Sequence, residues 1–115
     1  MYYKIEGTGH PLVYVPAAFG YAGLHAFPAL VAGHSVITVD LQGNGRTADI
    51  PDRPISIEQY ATDVVGLLKY LEISKAEFFG ESYGGDTGAT IAVRYPELVK
   101  RVAVYGASFG LLRAP

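Results

Sequence analysis

The stretch Ala76-Glu77-Phe78-Phe79-Gly80-Glu81-Ser82-Tyr83-Gly84-Gly85 constrains the fold more than any other in the chain. An apolar run ends at Gly80, a serine follows two residues later, and a glycine pair leads into a segment with helical character up to Arg94. A strand that turns straight into a helix places its turn residue at the end of a sheet. Glycines on either side of that residue leave room where the two backbones converge.

Four further short apolar runs share this character: residues 2–5, 12–15, 36–39 and 101–105. Each is bounded by Gly, Pro or Asp. Uninterrupted apolar runs this short suit strands buried on both faces. Between them lie helical signals. Residues 17–23 are rich in Ala and Gly and read as a loop, and residues 24–31 read as a helix containing Pro28. Residues 42–46 and 49–54 read as loops from their glycines and prolines. Ser56-Ile57-Glu58-Gln59 is a capping box, Ser-x-x-Gln, and it starts the clearest helix. Ile57, Tyr60, Ala61, Val64, Leu67, Leu68 and Leu71 follow at helical spacing as one apolar stripe. In the last helix, from Gly84 to about Arg94, the small residues Ala89, Ala92 and Val93 are expected to pack on the sheet, and Pro96 ends it.

Strands alternate with helices, so the fold class is α/β: a mostly parallel sheet of about five strands with helices on both faces. Ligands bind such sheets at the carboxyl ends of their strands. Four loops are expected on that rim, at residues 16–23, 40–47, 81–85 and 106–109.

Composition narrows the function. The chain has 115 residues, a length that suits one domain, and its net charge of −2 gives no basic footprint for nucleic acid. It has no cysteine, which excludes disulfides, thiol chemistry and cysteine-ligated metal. Residues 1–15 have no signal-peptide pattern, and no apolar run approaches the roughly 18–20 residues of a membrane span. The expectation is a cytoplasmic protein without membrane contact.

Three segments in order carry a resemblance to the α/β-hydrolase fold family. Gly7-Thr8-Gly9-His10-Pro11-Leu12-Val13-Tyr14-Val15 resembles the family's glycine turn into the strand before its oxyanion loop. Asp40-Leu41-Gln42-Gly43-Asn44-Gly45-Arg46-Thr47 resembles its D-x-x-G-x-G-x-S/T loop. Gly80-Glu81-Ser82-Tyr83-Gly84 resembles its G-x-S-x-G nucleophile elbow, with Tyr95-Pro96-Glu97 downstream. Pro16-Ala17 stands where the family usually has His-Gly. The resemblance covers residues 2–110 and only the family's N-terminal half. It implies a single truncated domain over residues 1–115, lacking the lid and the C-terminal strands that follow it in the family.

By resemblance Ser82 is the nucleophile, and the backbone N–H groups of Tyr83 and Ala18 are the oxyanion donors. The bland alternative for Ser82 is a turn serine that caps the following helix. The base is less determined. His10 and His34 lie near the amino ends of strands, away from the expected rim, so His25 is the candidate, with a residue of a partner chain or no base at all as the alternatives. Asp40 is expected to brace its loop, since no cluster of ligands accompanies it, and Glu81 to brace the elbow or point away from Ser82. No cofactor and no metal are implied. The function expected is hydrolysis of small carboxylic esters through a serine, with an incomplete triad. The alternative is a catalytically silent half-domain serving as an assembly or binding module. The strand at 101–105 would present a bare edge, so self-association through it, as a homodimer, is also expected.

Overall fold

The computed structural model describes residues 1–17 and 31–106. Five strands form one sheet: β1 (Tyr3–Glu6), β2 (His10–Val15), β3 (His34–Val39), β4 (Ala76–Glu81) and β5 (Val99–Tyr105). Their order is β1-β3-β2-β4-β5. β1 runs antiparallel to β3 and every other pairing is parallel. This is the mostly parallel α/β sheet expected from the alternation of elements.

The apolar runs of β2, β3 and β4 are buried as expected, whereas those of β1 and β5, the two outer strands, are largely exposed, because fewer elements cover them. Val13 and Val15 of β2 belong with Ile37, Val39 and Phe78 to one core, and Leu12 and Tyr14 belong with Val36 to another on the opposite face. Val31 and Phe79 pack against that second group. The helix expected over residues 24–31 lies outside the described residues except for Val31.

Both described helices, α1 (Ile57–Tyr70) and α2 (Tyr83–Arg94), cover the first core. α1 buries the predicted stripe from Ile57 to Leu68 and adds Val65, while Leu71, its C-cap, is half-buried against the same core. Its capping box is half formed. Ser56 Oγ accepts from the Gln59 backbone N–H at 3.0 Å, but the Gln59 side chain donates to Asp63 instead of returning to the cap.

Three sequence expectations are corrected. The packing face of α2 is Gly84, Gly85, Thr87, Gly88 and Ile91, not Ala89, Ala92 and Val93; Val93 is 81% exposed. The turn before the helix sets its phase and turns the glycine side inward, where missing side chains let helix and sheet approach. β2 and β3 begin earlier than their apolar runs, at His10 and His34, which pair with each other. Pro11 is tolerated inside β2 because the ladder to β4 starts only at Leu12, so β2 is paired on one side there. β5 likewise starts at Val99, directly after a 3₁₀ turn over Pro96–Leu98.

β5 is an edge of the sheet. Val102 and Tyr105 are exposed, as is Val93 on the neighbouring helix. Among the described residues no helix is long and apolar enough to cross a membrane.

Candidate active site

Ser82 sits between β4 and α2 with φ 52° and ψ −113°. A positive φ disfavours a residue with a Cβ, and such a conformation persists only where neighbours enforce it. The enforcement is visible on several sides. The Ser82 backbone N–H donates to the Tyr105 carbonyl of β5 at 2.7 Å, and the Ser82 carbonyl accepts from the Asp86 N–H at 3.0 Å. A Cβ on Gly80 would collide with the Gly84 backbone, and one on Gly84 would collide with the carbonyls of Val15 and Pro16. Both glycines are therefore steric requirements of the turn. The Tyr83 ring meets the Tyr60 ring of α1 edge-on, with centroids 5.8 Å apart.

The Ser82 side chain is exposed and makes no capping hydrogen bond to α2, although Ser82 occupies the N-cap position. The helix thus gains nothing from the hydroxyl, contrary to the bland reading of a capping serine. The Tyr83 N–H is the first of α2 and lies beyond reach of intrahelical acceptors, as do all N–H groups in a helix's first turn. Ala18 and His25 lie outside the described residues.

His10 and His34 are at the amino end of the sheet. The His34 ring nitrogen lies 3.2 Å from the Glu77 carboxylate. Glu77 precedes Ser82 by five residues of extended chain, a separation of about 16 Å. Neither histidine is brought to the serine. Among the described residues no group of three His, Asp or Glu is placed to hold a metal ion.

Asp40, at the end of β3, is buried and accepts from the Arg46 N–H at 2.8 Å, closing the loop after β3. Below that loop lies a polar network that sequence reasoning missed. Gln42, 1% exposed, donates to Asp49 at 2.7 Å and to the Arg53 carbonyl at 2.9 Å, and accepts from Arg53 Nε at 2.7 Å. The Arg53 guanidinium makes a bidentate pair with Asp63 of α1, at 3.1 and 2.7 Å. Tyr60 donates to the Gln42 carbonyl at 3.0 Å and so ties the network to the tyrosine that touches Tyr83. Burial raises the Tyr60 pKa, with nearby Tyr83, Asp49 and Asp63 adding to the shift and Asn44 opposing it. The signal for this network, polar residues spread over a loop and a helix, is visible only in three dimensions.

A cavity of about 610 Å³ lies beside β1 and α1, lined by residues including Tyr3, Ile50, Arg53, Asp63 and Tyr70. Ser82 is not part of its lining. We give the elbow precedence over this cavity as the candidate site, because nothing in the cavity wall combines an exposed nucleophile with a strained backbone.

Comparison with known proteins decides the lineage of this arrangement. Residues 10–114 match the family model described as the alpha/beta hydrolase fold. The chain belongs to the alpha/beta hydrolase family. A similar protein is 2-hydroxymuconate semialdehyde hydrolase of a Pseudomonas species, 30% identical over 108 residues, covering 90% of this chain and 38% of the relative. Another is 3-oxoadipate enol-lactonase 2 of Acinetobacter baylyi, 42% identical over 69 residues, covering 60% of this chain and 26% of that protein. Among solved structures, an enol-lactonase from Burkholderia xenovorans superposes with a TM-score of 0.80 at 32% identity, over 88% of this chain and 41% of that one. The relatives of this alpha/beta hydrolase chain are hydrolases, and the chain spans less than half of their length.

Proposed function

We propose that the chain carries the nucleophile half of a serine hydrolase acting on small carboxylic esters, cyclic esters included. The observation that supports this most is Ser82: exposed, held at positive φ, and not spent on capping the helix it precedes. In this reading Ser82 Oγ bonds to the ester carbonyl carbon while its proton passes to a base. The carbonyl oxygen takes the displaced electron pair, and the N–H groups of Tyr83 and Ala18 stabilise it. The carbonyl then re-forms, the bond to the alcohol breaks, and the alcohol leaves with the proton. Water hydrolyses the acyl-serine by the same path. The base is His25 or a residue of a second polypeptide. Without one, binding and the oxyanion donors alone leave a residual acceleration of about 10³–10⁴ over water. Names of relatives such as enol-lactonase favour an ester-like substrate.

Hydrolysis of p-nitrophenyl acetate and butyrate tests this. The Ser82→Ala variant is expected to lose the activity, and equal rates in wild type and variant would refute the reading. Loss in Ser82→Ala but not in His25→Ala would remove His25 as the base.

A second reading, a catalytically silent half-domain, is favoured by a different observation. Among the described residues β5 is an edge strand of the sheet, with exposed Val102 and Tyr105. That edge would add a strand from another polypeptide, a second copy of this chain being the simplest partner. Sedimentation as a monomer at all concentrations would count against the homodimer.

A further inference from the structure

The loop after β3 opens with a tight turn. The Asn44 N–H donates to the Leu41 carbonyl at 2.9 Å, and Gly43, the third residue of the turn, has φ 79°, the sign a type II turn requires. The turn's own hydrogen bond leaves the Gln42 carbonyl at its centre available. Two side chains take it up: the Tyr60 hydroxyl donates to it at 3.0 Å and Asn44 Nδ2 at 3.1 Å. Asn44 Nδ2 also lies 3.4 Å from the Tyr60 hydroxyl oxygen. Tyr60 is buried near the start of α1. Its ring meets that of Tyr83 with 5.8 Å between centroids and 75° between planes, the edge-to-face geometry that aromatic pairs prefer. Tyr83 directly follows the strained Ser82. A line of contacts therefore runs from the loop after β3, through one buried tyrosine, to the elbow.

We propose that Tyr60 is a positioning residue for Ser82: its hydroxyl, fixed on the Gln42 carbonyl, holds its ring as the stop against which Tyr83 and the elbow are set. This rests on the reading of Ser82 as the nucleophile. The hydrogen bonds to Tyr105 and Asp86 engage Ser82 itself, whereas the ring contact restrains the residue after it. That residue carries the N–H proposed as an oxyanion donor. Its side chain leaves the same Cα, so a ring that cannot swing restrains the backbone bearing that N–H. The acceptor for Tyr60 is itself anchored. The Gln42 side chain accepts from Arg53 Nε at 2.7 Å and donates to Asp49 at 2.7 Å, while Arg53 pairs with Asp63 one turn along α1 from Tyr60. Loop and helix are thus tied together on either side of the hydroxyl. Burial raises the Tyr60 pKa, so the phenol keeps its proton and remains a donor at neutral pH.

The test uses the full chain with Tyr60→Phe, which keeps the ring and removes the hydroxyl, Tyr83→Leu, which removes the partner ring, and the two combined. Val65→Ala, in the same core but about 140° round α1 from Tyr60, is the control for general loosening. Two readouts are followed. Amide hydrogen exchange at Ser82 and Asp86 needs no activity, and exchange in the last turn of α1 is its reference. The rate at which a fluorophosphonate labels Ser82 reports the nucleophile. Tyr60→Phe is expected to speed exchange at Ser82 and Asp86 about fivefold, the scale of one net hydrogen bond, with the reference unchanged. It is expected to slow labelling by about fivefold or more, since small misplacements of reacting groups carry large rate penalties. Tyr83→Leu should do the same, and adding Tyr60→Phe to it should change nothing further, because no ring remains to be positioned. Val65→Ala should speed exchange throughout and leave labelling at the wild-type rate. Multiplying effects in the combined variant, or labelling slowed equally by Val65→Ala, would overturn the proposal. If wild type is not labelled at Ser82 while the exchange pattern is as expected, the hydrolase reading fails and the positioning of Tyr83 stands. If wild type is labelled and Tyr60→Phe matches it in either readout, the proposal fails and the hydrolase reading is untouched.

Discussion

Two glycines in helices should respond in opposite ways to the same substitution, Gly→Ala. In an exposed helix interior, alanine is favoured over glycine by about 0.8–1.0 kcal/mol, because glycine loses more backbone entropy on folding. Gly66 is exposed in the middle of α1, and a Cβ there would meet nothing within 4 Å. Gly66→Ala should therefore stabilise the protein by about 1 kcal/mol, raising Tm by about 4 °C for a chain of this size. Gly84 is also helical, in the first turn of α2. Its Cβ would collide with the carbonyl oxygens of Val15 and Pro16, which are backbone atoms held by the sheet and cannot rotate away. The helix must instead lift off β2. Overpacking of this kind costs about 1–3 kcal/mol, and a rigid backbone partner places it in the upper part of that range, so the gain in propensity is exceeded. We expect a net loss of about 1–2 kcal/mol for Gly84→Ala. Urea denaturation of both variants and wild type measures the difference. If Gly84→Ala proved as stabilising as Gly66→Ala, the close packing of α2 on the end of β2 would be wrong, and with it the account of why the elbow requires glycine.

Three other outcomes follow from the same geometry. Ser82→Gly should stabilise the fold by about 1 kcal/mol, relief of positive-φ strain exceeding the entropy cost of glycine, while abolishing any serine-dependent hydrolysis; a less stable variant in thermal melts would show that the turn is unstrained. Gln42→Leu should destabilise by about 2 kcal/mol in denaturant titrations, because Asp49 and Arg53 lose partners beneath the loop; a neutral result would mean that water replaces the amide without cost. At high pH, Tyr14→Phe should flatten the loss of stability. The folded-state pKa of Tyr14 is raised, so its contribution is whole below its ordinary value of 10.0 and is lost as pH climbs above it. One such tyrosine removes about 1.4 kcal/mol per pH unit in that range, so denaturation at pH 9, 10 and 11 should show wild type falling more steeply than the variant, and parallel curves would refute the burial of the phenol.

Those features that were legible in the sequence are the ones written locally. Val13, Ile37 and Phe78 lie in short apolar runs, and such runs become central strands wherever helices cover them. The stripe from Ile57 to Leu68 repeats at helical spacing behind a serine cap, so α1 could be placed almost to the residue. The elbow announced itself because only glycine fits at positions 80 and 84. What escaped was written by absence or over distance. The buried face of α2 is built of Gly84, Gly85 and Gly88, which have no side chains to mark a hydrophobic stripe, so attention fell on Ala89, Ala92 and Val93. The Gln42–Arg53–Asp63 network joins a loop to a helix; polar partners of that kind have no local periodicity.

The elbow and the open edge of the sheet are one problem rather than two. The hydrogen bond that fixes the Ser82 backbone ends on the carbonyl of Tyr105, the last residue of β5. Among the described residues β5 pairs only with β4, and most of its residues are exposed. An edge strand with little buried side-chain area opens at lower free energy than the strands inside it. When the end of β5 frays, Ser82 loses the acceptor that holds its N–H, and the positive φ loses one of its restraints. Whatever covers β5 therefore also steadies the serine, even if it contributes no side chain to the chemistry. A strand added to β5 would raise protection of the Ser82 amide in parallel with that of residues 99–105. Protection of β5 without any change at Ser82 would show that the elbow is held by its glycines and its helix alone.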